Sequence, residues 1–551
     1  MMPQPASPPA LVDRHGEPLR RARPRASAPD GYPGGSFDRQ LAGWSPWLGS
    51  ADQDWLPVRD QAVARVRDLV RTDGWASGAV RRMVATAIGP KLRLQVRPDW
   101  RALGLDMDWA REWAAEVEAR FRLWSEDPDH GCDAARQTDL AGLLALAYWH
   151  WMADGEALVL PLFDAAAGPN RYATMLQVID PDRLSNPHEM MDSDRLRGGV
   201  EIDGNGAAVA YHFRKGHPGD FMLGAAAADR LTWERVPART SWGRRRVIHY
   251  FERTRAGQTR GVSRFAPIVE RLKMLTEYDR IELQASVVNA VFAAFIESPF
   301  DPNLMEAALG GDLGPYQTGR AGFHQAAGGL RLNGVRIPTL FPGEKFNFAA
   351  ANRPAGNFPA FEAQVLRNIA SGLGTSYEQL SQDWSRTNYS SARAALLESW
   401  KVMLHDRTRF AEGVTRQIFA LWLEEAIERG DVELPAGAPD FRTGKAAWTR
   451  VVVIGPGRGW VDPTKEAQGS LMKMDAGLST LEHEAAELTG ADWEEILEQQ
   501  AREQARRREL GLLEPTWAVI AEKRPESADE QEAEAEADAR PAADDEEEAR
   551  P

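Results

Sequence analysis

The longest helical signal in the chain limits how it can fold. From Phe265 to Phe292 the apolar residues Ile268, Leu272, Leu275, Ile281 and Val288 recur at helical spacing. At ~1.5 Å per residue such a helix spans ~42 Å, longer than the ~30 Å across a small domain, so it reads as a strut. Residues 297–358 follow, rich in Gly and Pro with short strands in LRLNGVRIPTLFPGEKFNF, which predicts a compact β-containing insertion. A shorter helix from Phe361 to Leu373 comes next. The polar loop SQDWSRTNYSS then opens a second long helical tract, Ala392 to Glu428, carrying Leu396, Trp400, Met403, Phe410, Val414, Ile418 and Trp422, with Gly413 as a place for a kink.

Before the strut, Trp55 to Ala87 predicts two helices broken at Gly74 and ended by Gly89-Pro90, and KLRLQV of Lys91 to Val96 predicts a strand. Met107 to Trp124 reads as a helix capped by Asp106 or Asp108, and Asp139 to Met152 as a nearly all-apolar one. Gly155 turns the chain into ALVLPLF, a buried strand; Thr174 to Ile179 and Arg246 to Phe251 are further strands. GVEIDGNGAAVAYHF, from Gly199 to Phe213, carries a hairpin signal in Asp203-Gly204-Asn205-Gly206. After the second long tract come a strand from Trp448 to Ile454 and a helical region to about Leu512. The expected class is α+β, mainly helical.

Length and charge narrow the function. With 551 residues the chain is long enough for two to four domains of ~100–200 residues, or one with extensions. A single cysteine, Cys132, excludes a disulfide framework and any clustered-cysteine zinc site, and fits a reducing cytoplasm. The opening residues, MMPQPASPPALVDRHGEPLRRARPRASAPDG, lack the apolar core of a signal peptide, so residues 1–50 read as a disordered leader. The most apolar stretch, Ala285 to Ile296, falls short of the ~20 residues a bilayer span needs and contains Asn289, so no membrane partner is expected. Of the net charge of −15, residues 525–551 contribute −10, with twelve acids and two bases, and residues 516–551 read as a solvated acidic tail on a mildly acidic body. Against this, Arg235 to Arg264 holds nine arginines and one acid, Glu252. Arg244, Arg245, Arg246, Arg260 and Arg264 are candidates to grip DNA phosphates or to pair with acids, including those of a neighbouring subunit.

The usual catalytic signatures are missing. No G-x-x-x-x-G-K-S/T phosphate loop occurs; RTGKAAW lacks its first glycine and its hydroxyl residue. GPGRGW at Gly455 has its third glycine out of place for a dinucleotide-binding turn. In LEHEAAEL the histidine that a zinc protease needs four residues after His483 is Glu487. Ser263 in GVSRF lacks the closing glycine of a nucleophile elbow and is better read as the cap of the strut. Asp180 and Asp182 in IDPDRL have the chemistry of a turn. The tryptophans, with Trp109 and Trp113 one helical turn apart and Trp149 and Trp151 in an apolar helix, read as core or subunit-interface residues rather than base-stacking ones. No catalytic residue, metal site or cofactor is expected.

Six tracts in order give the chain a likeness. They are DGWASGAVRRMVATAIGPKLRLQ; CDAARQTDLAGLLALAYWHWMADGEALVLPL; VIDPDRLSNP with GVEIDGNGAAVAYHF; VIHYFERTRAGQTRGVSRFAPIVERL; IASGLGTSYEQLSQDWSRTNYSSARAALLESW; and WVDPTKEAQGSLMKMDAGLST. Together, over about residues 50–512, the chain resembles the lambda-type phage portal proteins. The resemblance implies a ring of identical subunits, a dodecamer, at one capsid vertex, around a channel for double-stranded DNA. It implies partners too: the large terminase subunit, capsid and scaffold proteins, and head-tail joining proteins. The location would be the virion, after assembly in the bacterial host cytoplasm.

The same resemblance divides the chain. Residues 51–263 would form the N-terminal wing region with strands, 264–296 the first stem helix, 297–358 the clip, and 359–373 the second stem helix. The tunnel loop region would be 374–391, the long wing helix and return strand 392–462, and the crown helices 463–515. Ser381, Gln382, Ser385, Arg386, Thr387, Asn388 and Tyr389 would then face DNA, offering short-range hydrogen bonds and one cation, which suits sequence-blind contact with a moving backbone; the alternative is a polar turn capping the next helix. Two other classes compete with the resemblance. A phage nucleic-acid-processing enzyme would show clustered metal-binding carboxylates or a phosphate loop. A head-tail adaptor would be a much shorter chain without the helix, insertion, helix order.

Overall fold

The computed structural model describes residues 44–513 apart from 92, 165, 167–170, 221–225, 292–294, 298–313, 327–329, 333–334, 338–344, 348–357, 386, 388 and 461. Most of the expected leader, the acidic tail and much of the 297–358 insertion lie outside the described residues.

The first two helices are α1 (Ala51–Thr72) and α2 (Gly74–Ala87). Asp73, not Gly74, makes the break: its N–H donates to Leu69 O at 2.7 Å, closing α1, and its carboxylate accepts from Ala76 N at 2.8 Å, opening α2. Strand β1 (Arg93–Val96) and a short helix α3 (Trp100–Leu103) lead to α4 (Met107–Ser125), which Asp106 caps. Asp139 caps α5 (Leu140–Asp154), and this helix runs through the interior, buried on nearly every side. It ends at Gly155 with φ 93°, and a Cβ there would stand 2.4 Å from the backbone carbon of Val262. Only glycine permits that turn and that approach together.

Past Gly155, β2 (Glu156–Phe163) is the middle strand of an antiparallel sheet, between β3 (Thr174–Ile179) and β8 (Ile248–Phe251). Its place in the centre explains its unbroken apolar run. A meander lies beside it: β4 (Leu196–Arg197), β5 (Val200–Ile202), β6 (Ala208–Arg214), then, after a short helix α6 (Ala226–Asp229), β7 (Trp233–Pro237). The expected hairpin stands between β5 and β6, where Asp203 accepts from the N–H groups of Asn205 and Ala207.

The strut is α7 (Val269–Val291), four residues shorter at its start than the apolar spacing predicts. Pro267 is the reason: it has no N–H and disfavours the helical conformation at Ala266, so residues 264–268 form turns. Ser263 therefore does not cap the helix. Its Oγ accepts from Phe265 N at 3.1 Å, inside those turns. The described parts of the insertion are β9 (Phe295–Glu297), α8 (Gly314–Ala326), β10 (Leu330–Leu332), β11 (Val335–Ile337) and β12 (Lys345–Asn347), with β9 paired to β12 and β10 to β11. Helix α9 (Phe358–Leu373) returns along α7: Leu272 and Leu275 share a buried cluster with Leu366 and Ile369, and Tyr278 meets Phe358 and Phe361 at ring distances of 5.5 and 5.3 Å.

The short α10 (Tyr377–Ser381) precedes α11 (Tyr389–Phe410). Residues 411–415 widen into a π-helical turn before α12 (Arg416–Glu428). The position expected to kink, Gly413, lies in that turn with the Tyr250 ring 2.2 Å from where a Cβ would be. The Trp448 to Ile454 strand begins later than expected: Trp448 closes a short helix α13 (Lys445–Trp448), and β13 (Val451–Ile454) pairs antiparallel with β1. Helices α14 (Pro463–Asp475), α15 (Leu481–Thr489) and α16 (Trp493–Glu509) follow, capped by Asp462, Thr480 and Asp492. Arg93 and Arg122 tie α16 to the body through Glu495, and Arg111 does so through Glu494. Trp113 and Trp448 lie in the main core with Phe121, Trp124 and Trp422, and Trp109 stacks on Trp113 at 5.9 Å. The observed class is α+β and mainly helical.

Candidate functional site

Three groups of residues could carry function: the arginines between 235 and 264, the loop after α10, and the Asp180/Asp182 turn.

The arginines divide into two kinds. Arg260 is 2% exposed, so the expected outward contact with DNA or a neighbour does not hold for it. Its guanidinium binds Glu156 and donates to the carbonyls of Pro181, Leu184 and Gly198 at 2.9, 2.7 and 2.5 Å. Glu156, fully buried at the start of β2, also takes Arg59 at 2.9 Å and His249 at 2.9 Å. Burial alone would raise the Glu156 carboxyl; the two arginines and the histidine hold it well below the usual carboxylate range. Arg264 likewise turns inward, pairing with Asp406 at 2.9 Å and with Glu252 at 3.6 Å. Arg244 reaches Thr174 Oγ1 at 2.9 Å and Glu424 at 3.4 Å. Arg245 is half-buried and Arg246 exposed, and neither has a carboxylate within ion-pair distance among the described residues.

The loop after α10 is built from local turns. Ser376 and Gln379 form a reciprocal cap at the start of α10, and Gln382 ends the helix at φ 58°. Ser381 Oγ accepts from Asp383 N at 3.2 Å, and Asp383 accepts from Ser385 N at 3.0 Å and Ser385 Oγ at 2.6 Å. Thr387 N donates to Trp384 O at 3.2 Å, and Tyr389 is the first residue of α11. Arg386 and Asn388 lie outside the described residues. The hydroxyl and amide groups of Ser381, Gln382 and Ser385 shape this turn, and the exposed ring of Trp384, a residue the spacing did not single out, stands among them.

Asp180 and Asp182 make the expected turn and do more. Arg67, on α1, binds Asp154 at 2.8 Å, Asp180 at 2.8 Å and Asp182 at 2.9 Å, joining α1 to α5 and to the end of β3. His217 comes within 3.7 Å of both carboxylates. The three side chains could converge on a cation, all ligand atoms lying within 4.8 Å of one another. The Arg67 guanidinium already binds an oxygen of each of the two carboxylates, so the donor set is tied up in an internal ion-pair network. His483 is exposed, while its neighbour Glu484 is buried: burial pushes that carboxyl up, but hydrogen bonds from Ser470 and Ser479 and the Lys473 ammonium bring it down to about 2.

Many of the buried charges are thus paired with one another, holding helices and sheets in fixed relation. Comparison with known proteins gives the chain its family. Residues 37–407 match the family model described as phage portal protein, lambda family. The chain is 37% identical over 497 residues to the portal protein of Escherichia phage N15, covering 89% of this chain and 92% of that one. It is 36% identical over 502 residues to portal protein B of Escherichia phage lambda, with the same coverage. A probable portal protein of Halomonas phage phiHAP-1 is 24% identical over 486 residues, 86% of each chain. A chain from the neck of a native gene transfer agent particle aligns at TM-score 0.45 and 14% identity, covering 79% of this chain and 99% of that one. The chain belongs to the lambda family of phage portal proteins. No helix among the described residues is long and apolar enough to cross a membrane.

Proposed function

We propose that the chain assembles as a ring, a dodecamer, at one vertex of a phage capsid, and that double-stranded DNA passes through its channel during packaging and ejection. It acts without catalysis or cofactor. It sits among capsid and scaffold proteins, docks the large terminase subunit and then the head-tail joining proteins, and resides in the virion after assembly in the host cytoplasm. The carrying observation is 37% identity over 497 residues to a portal protein, spread over nearly the whole of both chains.

The local architecture supports a partition of this role. The packed pair α7 and α9 brackets residues 297–358, as two stem helices would bracket a clip. The turn from Ser381 to Tyr389, between α10 and α11, suits the tunnel loop, with α11 and α12 as the long wing helix and α14 to α16 as the crown. Packaging efficiency tests the loop: Arg386→Ala combined with Tyr389→Ala leaves ring assembly intact and lowers nuclease-protected DNA. Loss of rings would make the loop an assembly element instead.

A further inference from the structure

Helices α14, α15 and α16 have almost no apolar core of their own. None of the three buried apolar clusters contains a residue of these helices, and the apolar side chains buried within them are Ala485 and Leu488. Their other buried contacts are polar: Ser470 Oγ donates to Glu484 at 2.6 Å, Lys473 reaches the same carboxylate at 3.0 Å, and Arg458 takes Glu466 at 3.1 Å. The ties to the body are surface ion pairs through Arg93, Arg97, Arg111 and Arg122, and such pairs each contribute little. Helices held this way need an apolar surface from elsewhere.

Two apolar surfaces on the same three helices stand open. One is the corner between α14 and α15. Gly477, at φ 69°, reverses the chain there, and Leu478 N donates to Lys473 O at 2.8 Å, a closure that sets Leu478 beside the last turn of the helix. Leu471, Met472, Leu478 and Leu481 are 43 to 81% exposed. The other is the far end of α16. From Leu497 to Glu509 this helix has no buried residue, so it stands off from the body. Gly511 closes it in the same manner, Leu512 N donating to Arg507 O at 3.0 Å and Arg507 donating to Leu513 O at 2.6 Å. Leu510, Leu512 and Leu513 are left 53 to 89% exposed. Each surface opens a few hundred Å², the size at which a patch on a soluble chain marks an interaction site. The charges beside them are opposite in sign. The other acids of α14 and α15 are paired, and Asp475 is the one without an ion-pair partner among the described residues. Residues 502–513 hold four arginines and two glutamates, and Arg502 makes no ion pair among the described residues.

We propose that the far end of α16 of one subunit packs on the α14–α15 corner of a second copy, Leu510, Leu512 and Leu513 against Leu471, Met472, Leu478 and Leu481, with Arg502 toward Asp475. This rests on the ring reading and names a surface that closes the ring. Two different patches on one chain that fit each other make a head-to-tail contact, which closes into a ring when successive copies are related by a rotation. A rotation also brings neighbouring copies of one helical unit level with each other, and α16, at ~1.5 Å per residue, reaches ~25 Å toward the next. A standard interface takes ~800 Å² from each partner, so this contact is one part of the ring interface. DNA fits less well: its phosphates meet the arginines but leave both sets of leucines uncovered.

The test uses the full-length chain with p-benzoylphenylalanine in place of Met472, imaged for rings by electron microscopy and then irradiated. A product of two-chain mass on a denaturing gel is expected, joined to residues 497–513 of the second chain as mapped by mass spectrometry. Leu510→Asp with Leu512→Asp, at exposed positions, should lower that product at least tenfold while the melting temperature of the body is unchanged. Rings whose crosslinks stay within one chain, or join subunits elsewhere, would overturn the contact and leave the ring reading standing, as would a two-chain product that the leucine variant does not weaken. A chain that stays monomeric would overturn both.

Discussion

Glu156 is fully buried and holds Arg59, Arg260 and His249 around it, so it joins α1, β2, β8 and the chain just before the strut. Removing one partner from such a cluster leaves charge uncompensated in the interior. Arg260→Met is expected to destabilise the folded chain by about 3–5 kcal/mol, read as a fall in melting temperature; an unchanged melt would mean the cluster adds no stability. A half-buried carboxylate, Glu118, behaves in the opposite sense. Burial raises Glu118 to about 7, although it accepts from Val96 N at 2.6 Å, and the nearby Asp492 pushes it the same way. Between pH 4.5 and 7 the folded chain keeps a proton that the unfolded chain has released, so stability falls as pH rises through that window. Glu118→Gln should therefore be more stable than the parent at pH 8, by about 1–3 kcal/mol, and indistinguishable from it near pH 4 in melts across that range. Neither residue stood out in the sequence. An arginine cluster is visible in composition, but the nearest acids to Arg260 and Arg264, Glu156 and Asp406, lie 104 and 142 residues away in sequence, and only the fold brings them together.

Elements were more legible than pairings. Periodicity and caps place α1, α2, α4, α5 and the β5–β6 hairpin close to where they stand, because each is set by local chemistry: Asp73, Asp106, Asp139, and the Asp203 to Gly206 turn. Misplaced boundaries also have local causes. Pro267 delays the strut, and the Trp448 strand starts late because Trp448 belongs to a helix that packs its ring against the core. Gly155 shows what tertiary contact adds, since its backbone touches residues 261–263. Gly155→Ala should cost at least about 2 kcal/mol, through a disfavoured φ and a backbone clash together, and a melting temperature within error of the parent would contradict that. At Gly413 the obstacle is the Tyr250 side chain instead. Gly413→Ala should cost measurably less when combined with Tyr250→Ala than alone, which a double-mutant cycle would read.

At the scale of the whole molecule, three buried clusters make one body: helices α4, α5, α11 and α12 around the tryptophans, α1, α2, α7 and α9 beside them, and the two sheets facing each other. The family was legible because its motifs are spread in order along the chain, matching relatives across 89% of its length. The candidate site was less so: the arginines meant for outside contact are partly internal, and the loop residues spend polar groups on their own turns. Contacts that a ring would make lie on surfaces of a single chain and leave no periodic signal. The most direct test of the central claim is electron microscopy of the purified full-length chain, with its mass from light scattering. Closed rings with a central hole wide enough for a DNA duplex, at a mass near that of a dodecamer, are expected. A monomer at high concentration under every salt condition tried would contradict the account.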